Sequence, residues 1–180
     1  MLQRHVLVKV GEKTRFICIR CGRCCSSGPN VSLTAHDICR MSKYLGVNWR
    51  ELRGRYVLAV VSDAYATPVL RSVGEGVCAF LKYDGGKPQC LIYEARPLRC
   101  FLYPFIPTSP GKLSEMYVDT YCQGVGLGGE VEPEWSILRQ YSEELKYMYE
   151  RMHSLVFHNG LEPLEALERV IDEVCSQGGR

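Results

Sequence analysis

Four cysteines within eight residues, C-I-R-C-G-R-C-C with Cys18, Cys21, Cys24 and Cys25, constrain this chain more than any other stretch of it. A bridge between sequence neighbours such as Cys24 and Cys25 closes a small ring strained away from normal disulfide geometry. What remains is bridging to distant cysteines or thiolate ligation of a metal. The chain holds 10 cysteines in 180 residues, and at such density disulfide scaffolds are mostly small secreted domains that cannot bury enough apolar surface. This chain is long enough for a core of its own. Met1–Val10 also lacks the apolar stretch and small-residue cleavage site of a secretory signal. The run therefore reads as metal thiolates in a cytoplasmic protein.

Composition excludes the other broad classes. Apolar residues make up 46% and charged residues 23%, the balance of an ordinary globular chain rather than a disordered one. The apolar stretch around Tyr56–Val61 is far too short to span a bilayer. With 22 basic against 20 acidic residues, the net charge of +2 supplies no electrostatic footprint for nucleic acid. Neither nucleic acid nor membrane is expected as a partner.

Hydrophobic periodicity and punctuation predict one α+β domain over residues 1–180, with small cysteine-bearing hairpins and short helices around a metal centre, packed by two C-terminal helices. His5–Val10 and Thr14–Ile19, joined at Gly11-Glu12-Lys13, read as a hairpin delivering the cysteine run, and Ser26–Asn30 reads as loop. Thr34 with Asp37 opens a helix that Gly46 ends, and Asn48 with Glu51 opens a second by a capping-box arrangement. Val57–Val73 suits a strand pair or an irregular core segment. Cys78–Tyr93 is a hairpin turning at Asp84-Gly85-Gly86, and Arg96-Pro97 starts a short helix carrying Cys100. Leu113–Asp119 reads as a strand ending near Cys122, and Gly124–Gly129 as a linker without a phosphate-binding lysine. The C-terminal part, 133–177, is helical. Trp135, Leu138, Tyr141, Leu145, Met148, Met152 and Leu155 recur at helical spacing, and Pro163–Cys175 repeats the pattern.

Eight cysteines form the candidate site: Cys18, Cys21, Cys24, Cys25, Cys78, Cys90, Cys100 and Cys122. A Cys-x-x-Cys pair chelates because a tight turn points both thiolates inward, and Gly22 sits where such a turn needs a positive φ. C-x2-C-x2-C matches the bacterial ferredoxin run through its third ligand, then departs from it at Cys25. Zinc ribbons use two separated Cys-x-x-Cys pairs, and the second is missing here. In an extended segment Cys24 and Cys25 face opposite sides, which predicts that they do not share one ion. A regular two-residue turn at Gly85-Gly86 pairs Leu81 with Cys90 and leaves Cys78 on the opposite face from Cys90, whereas a single bulge near Pro88 reverses this. Arg15, Arg20, Arg23, Arg96 and Arg99 flank the cysteines and could offset thiolate charge; a plain solvated surface is the alternative. Phe16, Phe80, Tyr93, Phe101, Tyr103 and Phe105 could screen a cluster or simply pack a core. Soft thiolates suit zinc, iron–sulfur clusters or Cu(I).

Cys18-x2-Cys21-x2-Cys24-Cys25, followed by Cys78-x-Phe80-Leu81, resembles the YkgJ-like cysteine-cluster family, also described as the CxxCxxCC zinc- or iron-chelating domain. Cys90-Leu-Ile-Tyr-Glu-Ala-Arg96-Pro97-x2-Cys100, Tyr103-Pro104-Phe105 and Cys122-x-Gly124 continue the resemblance over roughly 16–126. Members often carry arginine after the residue matching Cys100, where this chain has Phe101 and places Arg99 just before. The resemblance implies metal binding, with members commonly labelled iron–sulfur oxidoreductases or chelating proteins. A similar domain in bacterial flagellin lysine methylases implies methyl transfer, for which this chain has no nucleotide-binding motif.

Other features have ordinary explanations. His153 and His158 are spaced to lie on different sides of a helix, so no joint metal site is expected. Cys39 and Cys175 sit among apolar residues of helical segments and read as small hydrophobes. Glu143, Glu144, Lys146, Glu150 and Arg151 read as a solvated helix face. The expected function is an iron–sulfur protein, with a 4Fe–4S cluster and an electron-transfer or oxidoreductase role opposite an unidentified redox partner. The alternative is a zinc-binding structural or interaction module.

Overall fold

The computed structural model describes residues 5–27, 31–109 and 111–177. Gly28, Pro29 and Asn30 of the expected loop lie outside them. The chain opens with strands β1 (His5–Lys9) and β2 (Thr14–Phe16), then a single helical turn α1 (Arg23–Ser26). Helices α2 (Ala35–Leu45) and α3 (Trp49–Leu52) follow, then strands β3 (Val57–Ser62), β4 (Tyr65–Leu70), β5 (Ser72–Val73), β6 (Val77–Cys78), β7 (Leu81–Asp84) and β8 (Lys87–Cys90). A 3-10 turn at Tyr93–Ala95 leads to α4 (Leu98–Leu102), β9 (Phe105–Pro107), β10 (Glu115–Asp119) and β11 (Val125–Val131). The chain closes on α5 (Trp135–Phe157) and α6 (Pro163–Gln177).

The fold is α+β, with small antiparallel sheets rather than one large one. Local punctuation works as read. Thr34 accepts the Asp37 N–H while the Asp37 carboxylate accepts the Thr34 N–H, and Asn48 with Glu51 repeats the capping box at α3. Gly46 ends α2 in the left-handed region. Val57–Val73 resolves into the β3–β4 pair, and β7–β8 turns tightly at Gly85-Gly86 with Leu81 opposite Cys90.

Two expectations about strands fail. β1 and β2 do not form a hairpin: β1 pairs with β10 in the sheet β1-β10-β9, and β2 pairs with β11. Gly124–Gly129 is not a linker, because residues from Val125 onward are in β11, with a register shift between Val125 and Glu130. The glycines permit that shift at the point where the strand presses on Ile17: a Cβ on Gly124 would stand 2.1 Å from the Ile17 carbonyl oxygen.

Two apolar cores lie along α5. Trp135, Leu138 and Tyr141 join Val8, Leu98, Leu102, Phe105, Met116 and Val118, while Met148, Met152 and Leu155 join the inner faces of α2, α6 and β4. Glu144, read as solvated, is buried between these stretches. It stands three residues after Tyr141 and four before Met148, on the apolar stripe itself. Arg40 Nη1 and Nη2 donate to its two oxygens at 2.7 and 2.8 Å, and Thr34 Oγ1 donates at 2.6 Å. Arg40 also donates to Asp37 at 2.6 Å, and Asp37 Oδ1 accepts the Leu98 N–H at 3.0 Å. This buried network ties α2 to α5 and to the start of α4, the helix that carries Cys100. At Glu144 the partners outweigh burial and hold the carboxyl below its ordinary range, whereas at Asp37 burial outweighs its partners and raises it.

Cys39 and Cys175 are not independent small hydrophobes. They are joined by a disulfide across a sequence separation of 136, fastening α2 to α6. The rings of His153 and His158 meet edge to face at 6.1 Å, because His158 caps α5 rather than lying on its side. His153 Nδ1 is instead hydrogen-bonded to the Tyr65 hydroxyl at 3.0 Å.

Candidate metal centre

The cysteine run is shaped by Gly22. Its φ of 71° places it in the left-handed region as the N-cap of α1, and its carbonyl accepts the N–H groups of Cys25 and Ser26 at 2.9 and 3.0 Å. A Cβ there would meet the Pro88 ring at 2.5 Å, so the loop lies directly on the β7–β8 hairpin. Cys24 and Cys25 consequently occupy a helical turn, not an extended segment. Their sulfurs are 3.7 Å apart, and the expectation that they face opposite sides is overturned.

Four thiols share one apolar floor. Cys78 is buried in the larger core, and Cys25, Cys90 and Cys100 pack against that core while partly buried. Each comes from a different element: α1, β6, β8 and α4. Cys24 lies beside them at the surface, and its charge acts on Cys25, Cys78, Cys90, Cys100 and Cys122. Cys21 acts on Cys122. Cys18 and Cys21 are exposed, and nothing in the described residues draws Cys18 to the other thiols.

The electrostatics are those of crowded, partly buried thiols. The hydrogen bond from Cys25 lowers Cys24 to about 7 against the opposing effect of burial, and the same bond, with burial and the charges of Cys24, Cys78 and Cys100, raises Cys25. Burial raises Cys100 strongly, and Cys78, Cys24 and Cys90 add to it. Burial also raises Cys78, Cys90 and Cys122, but backbone N–H groups oppose it in a repeated pattern. Phe80 and Leu81 donate to Cys78, Ile92 to Cys90, and Gly124 and Val125 to Cys122. Donors two and three residues after a cysteine stabilise a thiolate before any ion arrives.

Of the flanking arginines, Arg96 lowers Cys90, while Arg20 and Arg96 both stack on Tyr93, at 4.4 and 4.1 Å from the ring centre. Arg23 lies over Tyr121 and Arg99 over Tyr141, and Arg15 donates to the Gly128 carbonyl. Phe80 is buried against Tyr56 beneath the nest, whereas Phe101 is exposed and packs under Arg96.

The donor set is sulfur alone, which suits a thiophilic ion. At 3.7 Å the Cys24–Cys25 pair matches the edge of a tetrahedron, since an ion 2.3 Å from each sulfur spaces them about 3.8 Å apart. Among the described residues, no three or more His, Cys, Asp or Glu side chains are arranged to hold a metal ion as they stand. The nest thus fits the ion in donor type and along one edge.

The family model described as "Putative zinc- or iron-chelating domain", CxxCxxCC, matches residues 17–123, which include every cysteine of the nest. The chain belongs to the CxxCxxCC family. Over 167 residues it is also 36% identical to the uncharacterized protein MJ0661 of Methanocaldococcus jannaschii, covering 88% of this chain and 81% of that one. No solved structure matches. The CxxCxxCC match ends before α5 and α6, so the disulfide reaches from inside the matched segment to a helix beyond it. Among the described residues, no helix is long and apolar enough to cross a membrane.

Proposed function

We propose that this CxxCxxCC protein is a cytoplasmic chelator of a thiophilic ion, zinc or iron, with Cys24 and Cys25 bound to the same ion. The observation that carries this reading is their 3.7 Å separation, a tetrahedral edge already formed. Cys78, Cys90 and Cys100 supply further ligands from the apolar floor, while Cys18 and Cys21 are exposed and Cys122 is partly buried. A bound cation would offset the repulsion among buried thiols and tie together the four elements that carry them; iron would add one-electron chemistry, zinc would not.

A 4Fe–4S cluster with an electron-transfer or oxidoreductase role is the second reading. It draws on the C-x2-C-x2-C spacing of Cys18, Cys21 and Cys24, which follows the ferredoxin run. Each iron of such a cluster takes its own cysteine, so this reading puts Cys24 and Cys25 on different irons or leaves one of them outside.

Metal and acid-labile sulfide analysis of anaerobically purified protein separates the two. Zinc or iron without sulfide, with Cys24→Ser and Cys25→Ser each losing the same equivalent, is the expected result. Iron with matching sulfide would establish the cluster, and different equivalents lost from the two variants would overturn the shared ion.

A further inference from the structure

On α4, Arg99 immediately precedes Cys100, but it lines a separate open cleft of about 540 Å³ bordered by α4, α5 and residues 107–109 and 111–113. That volume is the size of a small-molecule site. Its wall includes Arg99, Lys112 and Lys146, with no aspartate or glutamate among the lining residues. Leu138, Tyr141 and Leu145 share one face of α5 along this cleft, with Leu113 also in its wall.

The three cations are not equally committed. Lys112 is paired with Glu115 at 2.9 Å, and Lys146 reaches Glu150 at 3.8 Å on an open helix face. Arg99 has no carboxylate partner among the described residues; its guanidinium stands 5.9 Å from the centre of the Tyr141 ring. A partly buried arginine without a carboxylate partner, lining a cleft whose other lining residues include no acid, is matched by an oxyanion, which a guanidinium can grip bidentately.

We propose that this cleft binds a small organic oxyanion, a carboxylate or phosphate ester on an apolar body, with Arg99 holding the anionic group and Leu113, Leu138 and Leu145 the body. The site does not depend on which metal the thiols hold. It sets the ligand and the thiol nest on the same short helix, on consecutive residues.

The test is titration of the isotopically labelled, metal-loaded full chain with phenylacetate, phenyl phosphate and neutral 2-phenylethanol, followed by amide and arginine side-chain resonances. Phenylacetate, phenyl phosphate or both should shift the Arg99 side chain and the amides of Leu113 and Ser142, and the tighter anion identifies the headgroup. Neutral 2-phenylethanol should bind at least about tenfold more weakly, the size of a lost charged hydrogen bond. Arg99→Gln should weaken the anion by about tenfold or more while leaving metal content and the rest of the spectrum unchanged, and Lys146→Gln should cost less. Equal shifts with the neutral compound, no shift with either anion, or unchanged affinity in Arg99→Gln would overturn the proposal. Loss of metal without loss of anion binding would count against the thiol reading alone.

Discussion

A Cβ on Gly22 would stand 2.5 Å from the Cβ of Pro88, so the loop presenting the cysteine run touches the hairpin presenting Cys90 with no room for a side chain. The same glycine holds a left-handed φ that starts the turn carrying Cys24 and Cys25. One residue therefore fixes both the direction of the pair and its distance from the hairpin.

Gly22→Ala should destabilise the chain by about 1–3 kcal/mol through strain at positive φ together with the clash. Combining it with Pro88→Gly removes the clash and leaves the backbone strain, so the two changes should couple favourably in denaturant midpoints. Additive losses would mean that the loop and hairpin do not touch.

Cys24 should be the fast-reacting thiol of the metal-free protein, because its pKa is brought down to about 7 by the hydrogen bond from Cys25. Without that bond a thiol titrates near about 8.5, so Cys25→Ala should slow alkylation of Cys24 at pH 7 by roughly tenfold. Peptide mapping after brief iodoacetamide treatment reads this directly.

Acid should loosen the α2–α5 junction. The Glu144 carboxyl lies below its ordinary range, held there by Arg40 and Thr34 against the cost of burial. Its contribution is present above the unfolded value near about 4.3 and is lost as pH falls through the lower folded value. Asp172 and Glu173, lowered chiefly by Arg50 and Arg151, act in the same direction. Asp37 acts oppositely, since burial raises it. Glu144→Gln should therefore flatten the acid limb of a stability–pH curve measured by urea unfolding.

Thiol counting tests the covalent link. The unfolded, unreduced chain should titrate as the eight free cysteines, and reduction should add the pair Cys39 and Cys175. Replacing both by alanine should cost about 2–5 kcal/mol, since the bridge closes a loop of 136 residues.

What the sequence made legible was local. Thr34 with Asp37, Asn48 with Glu51 and Gly46 cap helices within a few residues, and Gly85-Gly86 closes a hairpin between adjacent strands. The partner of β1 stands more than a hundred residues away, and no local pattern distinguishes it from the tempting neighbour β2. The side-to-side alternation expected of Cys24 and Cys25 presumes an extended chain, whereas the left-handed Gly22 begins a helical turn. A positive φ at Gly22 is legible in the spacing; the turn that it opens over the next three residues depends on the contact with Pro88, which the spacing does not carry. Glu144 looked solvated among Glu143, Lys146 and Glu150, although its position on the Tyr141–Met148 stripe marked it as buried. The partner of Cys39 depends on two helices meeting, which spacing along the chain cannot report.

Helix α5 supplies Trp135, Leu138 and Tyr141 to one core and Met148, Met152 and Leu155 to the other. Neither core can lose its helix face without bending the beam that the other rests on. Unfolding is thus expected as one cooperative event, with the elements that carry the thiols melting together with the C-terminal helices instead of surviving as a separate metal-binding fragment.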